Sequence, residues 1–370
     1  MNILITGADG FIAKNLVVAL QEQGTHHILR LTREHDDAAL AALVAQADFV
    51  FHLAGINRPR DPSEFGTGNA GLTDKLCQAI EATGRDIPVA FSSSTQASLD
   101  NPYGVSKRAA EARMLDMAAR TGGRVFILRL PNVFGKWCRP NYNSVVATFC
   151  YNVARDLPIR IDAPETMLTL IHIDDVVAAF LKCLHTSAPA PGFVEAGPTY
   201  QCTLGELASR IQGFRQSRES LVIDHVGTGF IRALYATYVS YLPPDSFAYA
   251  VPQHGDPRGV FVEMLKTPDS GQFSFFTAHP GITRGGHYHH TKTEKFLVIR
   301  GKARFGFRHI VTGETHVIET QGSQPQVVET VPGWTHDITN IGDDEMIVML
   351  WANEIFDRSR PDTIACPVSL

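Results

Sequence analysis

The sequence predicts an α/β doubly wound parallel sheet followed by an all-β antiparallel sandwich or barrel. Three observations carry this expectation. Over residues 1 to about 185, short apolar segments alternate with amphipathic ones, the pattern of parallel strands covered by helices on both faces. From about residue 243, Gly and Pro recur between short alternating segments, which marks antiparallel strands. At 370 residues the chain is too long for most single cores and suits two domains.

Taken in order, residues 3–6 read as a first strand and 11–23 as a helix. Residues 27–32 and 38–47 repeat that strand-then-helix pattern, and the apolar segments 49–53, 89–92 and 125–130 extend the sheet. Pro243-Pro244 opens a linker, so the domains are expected to divide into 1–245 and 246–370. Beyond the linker, 296–299, 304–307, 315–319 and 346–351 read as strands.

Composition narrows the function classes. An apolar content of 44% with 19% charged residues describes an ordinary globular protein. A net charge of −5 and a pI near 6.3 argue against a general nucleic-acid binder. There is no uninterrupted apolar run of about 18 residues, so no membrane span is expected. An apolar strand follows Met1 almost at once and leaves no room for a signal peptide, which points to the cytoplasm. Six scattered cysteines without CxxC spacing read as buried thiols in a reducing compartment.

The first strand runs directly into Gly7-Ala8-Asp9-Gly10-Phe11-Ile12-Ala13. Gly7 and Gly10 let the backbone approach a pyrophosphate, and the helix opening at Phe11 and Ile12 offers N–H donors at the positive end of its dipole. Ala13 is small enough for helix–strand packing. The second strand ends in Leu29-Arg30-Leu31-Thr32-Arg33, with no carboxylate for a ribose 2′-hydroxyl before Glu34. Arg33, or Arg30, suits a 2′-phosphate instead, which predicts NADPH as the cofactor.

Next come Ser92-Ser93-Ser94 at a strand end and, after the turn at Asn101-Pro102, Tyr103 and Lys107. Four residues apart, Tyr103 and Lys107 share one face of a helix. An ammonium beside a phenol is expected to lower the tyrosine pKa toward neutrality. The tyrosine then exchanges a proton at an alcohol or ketone oxygen while hydride moves at carbon. These residues resemble the extended short-chain dehydrogenase/reductases, the Rossmann-type family of sugar-nucleotide epimerases and reductases, over residues 1–240. The resemblance includes Leu53, Ala54 and Gly55 after a central strand, where the family packs its cofactor, and Asn132, where it contacts substrate. It implies Ser94, Tyr103 and Lys107 as the catalytic set, with Ser93 as the alternative hydroxyl.

The second half carries GITRGGHYHHTKTEKFLVIRG at 281–301 and PGWTHDITN at 332–340. His287 and His289 alternate along an extended segment and so share a face, and Glu294 and His336 can converge on them from neighbouring strands. Three imidazoles and a carboxylate suit a divalent transition metal, with Zn favoured because no redox co-substrate signal is present. The spacing resembles the two cupin motifs and implies a jelly-roll barrel; the second motif is one residue short between Pro332 and Gly333. Of the polar residues left over nearby, His290 and Lys295 are assigned to substrate, with Tyr288 and Arg308 as other choices.

A reductase of this kind followed by a cupin narrows the class. The whole chain resembles the bifunctional enzymes of bacterial capsule and O-antigen amino-sugar synthesis, notably at 48–59, 134–151 and the PGIT to KFLV run. The resemblance implies C3 epimerisation of a UDP-2-acetamido-2,6-dideoxy-4-hexulose in the cupin. NADPH reduction of the C4 ketone would follow and give UDP-2-acetamido-2,6-dideoxy-L-talose, en route to UDP-N-acetyl-L-fucosamine. Two rivals stand beside it. The cupin is then only a dimerisation or sugar-binding module on a 4-reductase, or the chain is a redox-dependent binding protein. The strand edges of the cupin need covering, which predicts self-association without fixing the number of copies, and a homodimer is the expected form.

Overall fold

The structure is a computed structural model and describes all residues except 60, 62, 187–191, 257, 258, 263, 266, 268–270, 355–358 and 370; for 253–256, 259–262 and 272 it describes the backbone only. Two compact units emerge, Met1–Arg139 with Leu168–Gln201, and Pro140–Met167 with Cys202–Leu370.

The first unit contains β1 (Asn2–Thr6), α1 (Phe11–Gln23), β2 (His27–Leu31), α2 (Asp37–Gln46), β3 (Phe49–His52), α3 (Leu72–Thr83), β4 (Val89–Ser94), α4 (Pro102–Thr121), β5 (Val125–Leu130) and β6 (Asn132–Phe134). After α5 (Val145–Val153), which belongs to the second unit, come β7 (Met167–His172), α6 (Ile173–Leu184) and β8 (Gly192–Phe193). The large sheet is parallel throughout in the order β2-β1-β3-β4-β5-β8. Side chains alternate along each strand, so Ile3, Ile5, Phe49 and Phe51 face one way while Leu4 and Val50 face the other. The first set packs with Leu16 of α1 and Phe180 of α6. The second packs with Leu40, Leu76 and Met114 of α2, α3 and α4. This is the doubly wound sheet expected. The chain leaves β1 toward β2 on one side and returns to β3 on the other, so the β1–β3 crevice is the switch point where such sheets bind ligands.

The second unit continues with β9 (Tyr200–Thr203) at its border, α7 (Leu204–Ser220) and α8 (Gly229–Val239). Its strands are β10 (Ala248–Ala250), β11 (Gln253–Asp256), β12 (Gly259–Val262), β13 (Gln272–Ala278), β14 (Thr283–Tyr288), β15 (Glu294–Arg300), β16 (Lys302–His309), β17 (Thr315–Gln321), β18 (Gln326–Glu329), β19 (Trp334–Asn340), β20 (Met346–Ala352) and β21 (Ile364–Ala365). β11 and β12 pair as a separate antiparallel ribbon, and the other ten build two five-stranded antiparallel sheets, β10-β18-β15-β20-β13 and β17-β16-β19-β14-β21, around Phe296, Phe305 and Phe307. The all-β half is therefore present as expected.

Compactness divides the chain differently from the expected boundary near 245, because α7 and α8 pack with the strands. Arg218 of α7 pairs with Glu329 of β18 at 3.2 Å and stacks on Tyr249 of β10 at 4.4 Å. Glu329 also pairs with Lys295 of β15, whose Nζ donates to the Tyr249 hydroxyl at 3.2 Å. Among the described residues no helix is long and apolar enough to cross a membrane. None of the six cysteines forms a disulfide. Four are buried, but Cys138 and Cys366 are partly exposed, which corrects the expectation of six buried thiols.

Candidate functional site

In the first unit, β1 ends at Gly7, whose φ of +65° suits glycine. A Cβ there would lie 2.7 Å from the Ala54 Cα, so the glycine also lets the β1 and β3 ends close together. Beneath them, Thr6 Oγ1 bonds His52 Nδ1 at 2.7 Å and accepts from the Ala54 N–H at 3.1 Å, while His52 Nε2 meets Thr73 Oγ1 at 2.9 Å. Burial and the Lys107 charge push His52 down to about 3, so it stays neutral and acts as a fixed strut. Above lies a cavity of about 810 Å³ lined by Gly7, Gly10, Arg33, Leu53, Ala54 and Gly55 among others. Phe11 and Ile12 form the first turn of α1 and pack against the core beside it. Arg30 is held by Asp9 at 3.1 Å, which leaves Arg33 as the cavity-lining arginine at the end of β2.

Helix α4 starts from Asn101, whose side chain caps the Gly104 N–H at 2.8 Å. Gly104 is required by close approach, since a Cβ would meet Gln96 O at 2.2 Å. Tyr103 lies near the Ser94 hydroxyl, and Lys107 Nζ donates to Ser92 O at 2.9 Å. Ser93 points the other way and donates to Glu111, which in turn holds Arg129 at 2.6 Å. The geometry thus brings Ser94, and not Ser93, to Tyr103. One expectation is corrected. Burial raises the Tyr103 pKa, and the Ser94 hydrogen bond offsets that only partly. Lys107 is itself pushed down to about 8 by burial, with Glu111 opposing, and its ammonium is committed to a carbonyl. Asn132 lies exposed on β6 and donates to Thr169 O at 3.4 Å.

In the second unit, a bulge in β14 at Gly285 and Gly286, with φ of +99° and +77°, re-aims the strand just before His287. His287 then sits opposite His336 of β19. The shortened turn at Pro332 closes normally: Trp334 N–H donates to Val331 O at 2.9 Å, and Gly333 N–H to His289 O at 3.0 Å. One ligand atom from each of His287, His289, Glu294 and His336 lies within 4.8 Å of the others. Glu294 Oε2 is 3.1 Å from His289 Nε2 and 3.6 Å from His336 Nε2.

This set fits a divalent metal on two grounds. His289 Nδ1 bonds the Asp362 carbonyl, which only accepts, so Nδ1 carries a proton. Nε2 is then the ring nitrogen left to face the Glu294 carboxylate, 3.1 Å away, where a ligand atom belongs. His336 is 4% exposed with no hydrogen bond on either ring nitrogen among the described residues. Burial, with the neighbouring imidazoles, pushes His287 down to about 3, which keeps it in the neutral, ligating form. Burial works to raise Glu294, but His289, His336 and Lys292 hold it well below the usual carboxylate range.

Lys292, 8% exposed, lies 2.7 Å from Glu294 Oε1 and was not singled out from sequence. Lys295 is a correction. It follows Glu294 in β15 and so points to the opposite face, where it is 2% exposed and tied to Glu329 and Tyr249, away from the cluster. His290 flanks the cluster, with its N–H on Asp362 Oδ1 at 2.9 Å.

Residues 3–197 match the NAD dependent epimerase/dehydratase family, and 254–364 match the polysaccharide biosynthesis C-terminal domain. The chain is 57% identical over 368 residues to the UDP-2-acetamido-2,6-beta-L-arabino-hexul-4-ose reductase of Pseudomonas aeruginosa, covering 100% of this chain and 99% of that protein. The chain belongs to the NAD dependent epimerase/dehydratase family. Its fold is similar to that of CapF, the capsular polysaccharide assembling protein of Staphylococcus aureus. That structure is 41% identical with a TM-score of 0.69, over 99% of this chain and 100% of that one. The UDP-glucuronic acid 4-epimerase of Bacillus cereus with NAD, 21% identical over 58% of this chain and 83% of its own with a TM-score of 0.52, shares the fold alone.

Proposed function

We propose that this chain is a cytoplasmic, homodimeric nucleotide-sugar enzyme with two activities. Residues 1–245 would reduce the C4 ketone of a UDP-linked 4-keto amino sugar with NADPH, and residues 246–370 would epimerise C3 beforehand. The carrying observation is the full-length identity to a relative named as a reductase of a UDP-linked 4-hexulose. The product in this reading is UDP-2-acetamido-2,6-dideoxy-L-talose.

For the reduction, the substrate ketone oxygen lies between the Ser94 and Tyr103 hydroxyls. Ser94 donates a hydrogen bond to that oxygen, and Tyr103 delivers the proton as the oxyanion forms. A raised phenol pKa keeps Tyr103 protonated and ready for this direction of reaction. Lys107 and Gly55 would hold the cofactor, and Arg33 would hold its 2′-phosphate. NADPH supplies the hydride to C4.

For the epimerisation, the C4 ketone acidifies the C3 proton, so a base can remove it and an acid can return it on the opposite face. In this reading His290 would contact the substrate. His287, His289, Glu294 and His336 would hold a divalent cation, Zn in this reading, which supplies positive charge to a developing enolate or braces the barrel. Reduction afterwards traps the epimer, because it removes the ketone that makes C3 labile.

A second reading is favoured by the relative's name, which records reduction alone. In it the barrel is a dimerisation or sugar-binding module. NMR of the 4-keto UDP sugar in D2O separates the two. Deuterium entering C3 without NADPH supports the epimerase, and reduction with no exchange at C3 leaves the reductase alone. Absence of NADPH-dependent reduction sinks both.

A further inference from the structure

We infer that Asp362, from the C-terminal tail, is a positioning residue for the metal cluster. Its main-chain carbonyl orients His289, and its carboxylate clamps the turn that carries Lys292. The inference rests on the metal reading above. The tail reaches the cluster because β21 lies beside β14, pairing Ala365 with His287 and Ile364 with Tyr288. Cys366 N–H donates to Gly286 O at 2.8 Å, and Arg308 secures the last residues through the Val368 carbonyl at 2.9 Å.

Asp362 acts at two places. Its carbonyl accepts a hydrogen bond from His289 Nδ1–H, which fixes the ring so that Nε2 faces Glu294. Its carboxylate accepts three consecutive backbone N–H groups. Oδ1 takes His290 at 2.9 Å, and Oδ2 takes Thr291 and Lys292 at 2.7 Å each. Thr291 Oγ1 adds a fourth contact at 3.2 Å. A carboxylate filled this way pins the backbone of the turn between β14 and β15, and in that turn Lys292 Nζ lies 2.7 Å from Glu294 Oε1. With Oε1 taken by the ammonium, Oε2 is the oxygen left facing His289 and His336, so Glu294 would offer a metal one oxygen.

Arg232 of α8 backs the clamp. Its guanidinium donates to Thr291 Oγ1, pairs with Glu354 at 2.8 Å and stands 4.0 Å from Asp362 Oδ2. In Asp362→Asn one carboxylate oxygen becomes an NH2 donor and can no longer accept from the turn.

The test uses the full chain, stripped with chelator, in wild-type, Asp362→Asn and Arg232→Ala forms. Zn affinity is read by competition with a chromophoric chelator, ligand geometry by the visible absorption of the Co(II)-loaded protein, and folding by circular dichroism together with NADPH binding. Asp362→Asn is expected to weaken Zn binding about 10- to 100-fold, the usual effect of losing a group that orients a ligand, and to change the Co(II) absorption while NADPH still binds. Arg232→Ala shifts both readouts in the same direction by less. Wild-type affinity and absorption in folded Asp362→Asn overturn the inference. If that variant does not fold, wild-type affinity in Arg232→Ala overturns it, and failure of both to fold assigns the residues to stability and overturns it too. If the wild-type chain takes up no metal, the metal reading falls first, a result distinct from intact binding in the variants.

Discussion

Lys292 Nζ and Glu294 Oε1 lie 2.7 Å apart, two residues along the chain, with both side chains at least nine-tenths buried. A buried carboxylate keeps its charge only where cations face it, and here the ammonium does so on the side away from the imidazoles. Lys292→Gln should therefore destabilise the metal-free protein by about 3–5 kcal/mol, the usual effect of stranding one partner of a buried pair. Added Zn should recover most of that loss, because a divalent cation then faces Glu294. Thermal unfolding with chelator and with Zn reads it, and the Zn-induced rise should exceed that of wild type.

Tyr103→Phe removes the proton donor proposed at O4. NADPH oxidation with the 4-keto sugar should fall by about 10²- to 10⁴-fold, while solvent deuterium still enters C3. Loss of both activities together would contradict independent sites.

Arg33 lines the cavity at the end of β2, where Arg30 is occupied by Asp9. Arg33→Ala should weaken NADPH by about 10- to 100-fold, one charge-assisted contact, and leave NADH nearly unchanged. A wild-type enzyme that prefers NADH would refute the cofactor assignment.

Burial pushes Lys107 down to about 8 from the usual 10.5, and Glu111 works against that shift. Between these values the unfolded chain holds the proton and the folded chain has released it. This group's contribution to stability therefore rises as pH climbs through that window. Cofactor affinity should move the other way and weaken above about pH 8 as the ammonium is lost. Glu111→Gln removes the opposing charge, so the break should move to lower pH. NADPH titrations at a series of pH values read both effects.

Burial works to raise Glu329, but Lys295 and Arg218 hold its pKa below the ordinary 4.5. Its stabilising effect is complete above that ordinary value and is lost as pH falls through the folded one. Glu329→Gln should remove about 3–5 kcal/mol by leaving both cations unpaired, and should flatten the acid limb of stability measured by urea unfolding. Replacing Lys295 by Met as well should recover part of the loss.

Much of the candidate site was legible where chemistry is written locally. The glycine turn after β1, the tyrosine and lysine one helical turn apart, and the alternating His287 and His289 all follow from short spacings set by backbone period. The same period carried the signal that corrects Lys295, since the residue after an inward Glu294 must point outward. The Tyr103 pKa was not legible in this way. Its direction depends on how deeply the phenol is buried and on which group Lys107 faces.

By itself the sequence determined the two fold classes, the glycine-opened nucleotide crevice and the four residues of the candidate metal cluster, His287, His289 and Glu294 by their short spacing and His336 by the motif around it. The tertiary structure alone decided that Ser94 and not Ser93 meets Tyr103, and that α7 and α8 share a compact unit with the barrel. It alone brought Asp362, some seventy residues away in sequence, onto the turn beside His289. Those pairings depend on strand register and on which faces are buried, and neither is settled until the sheets have closed around their cores.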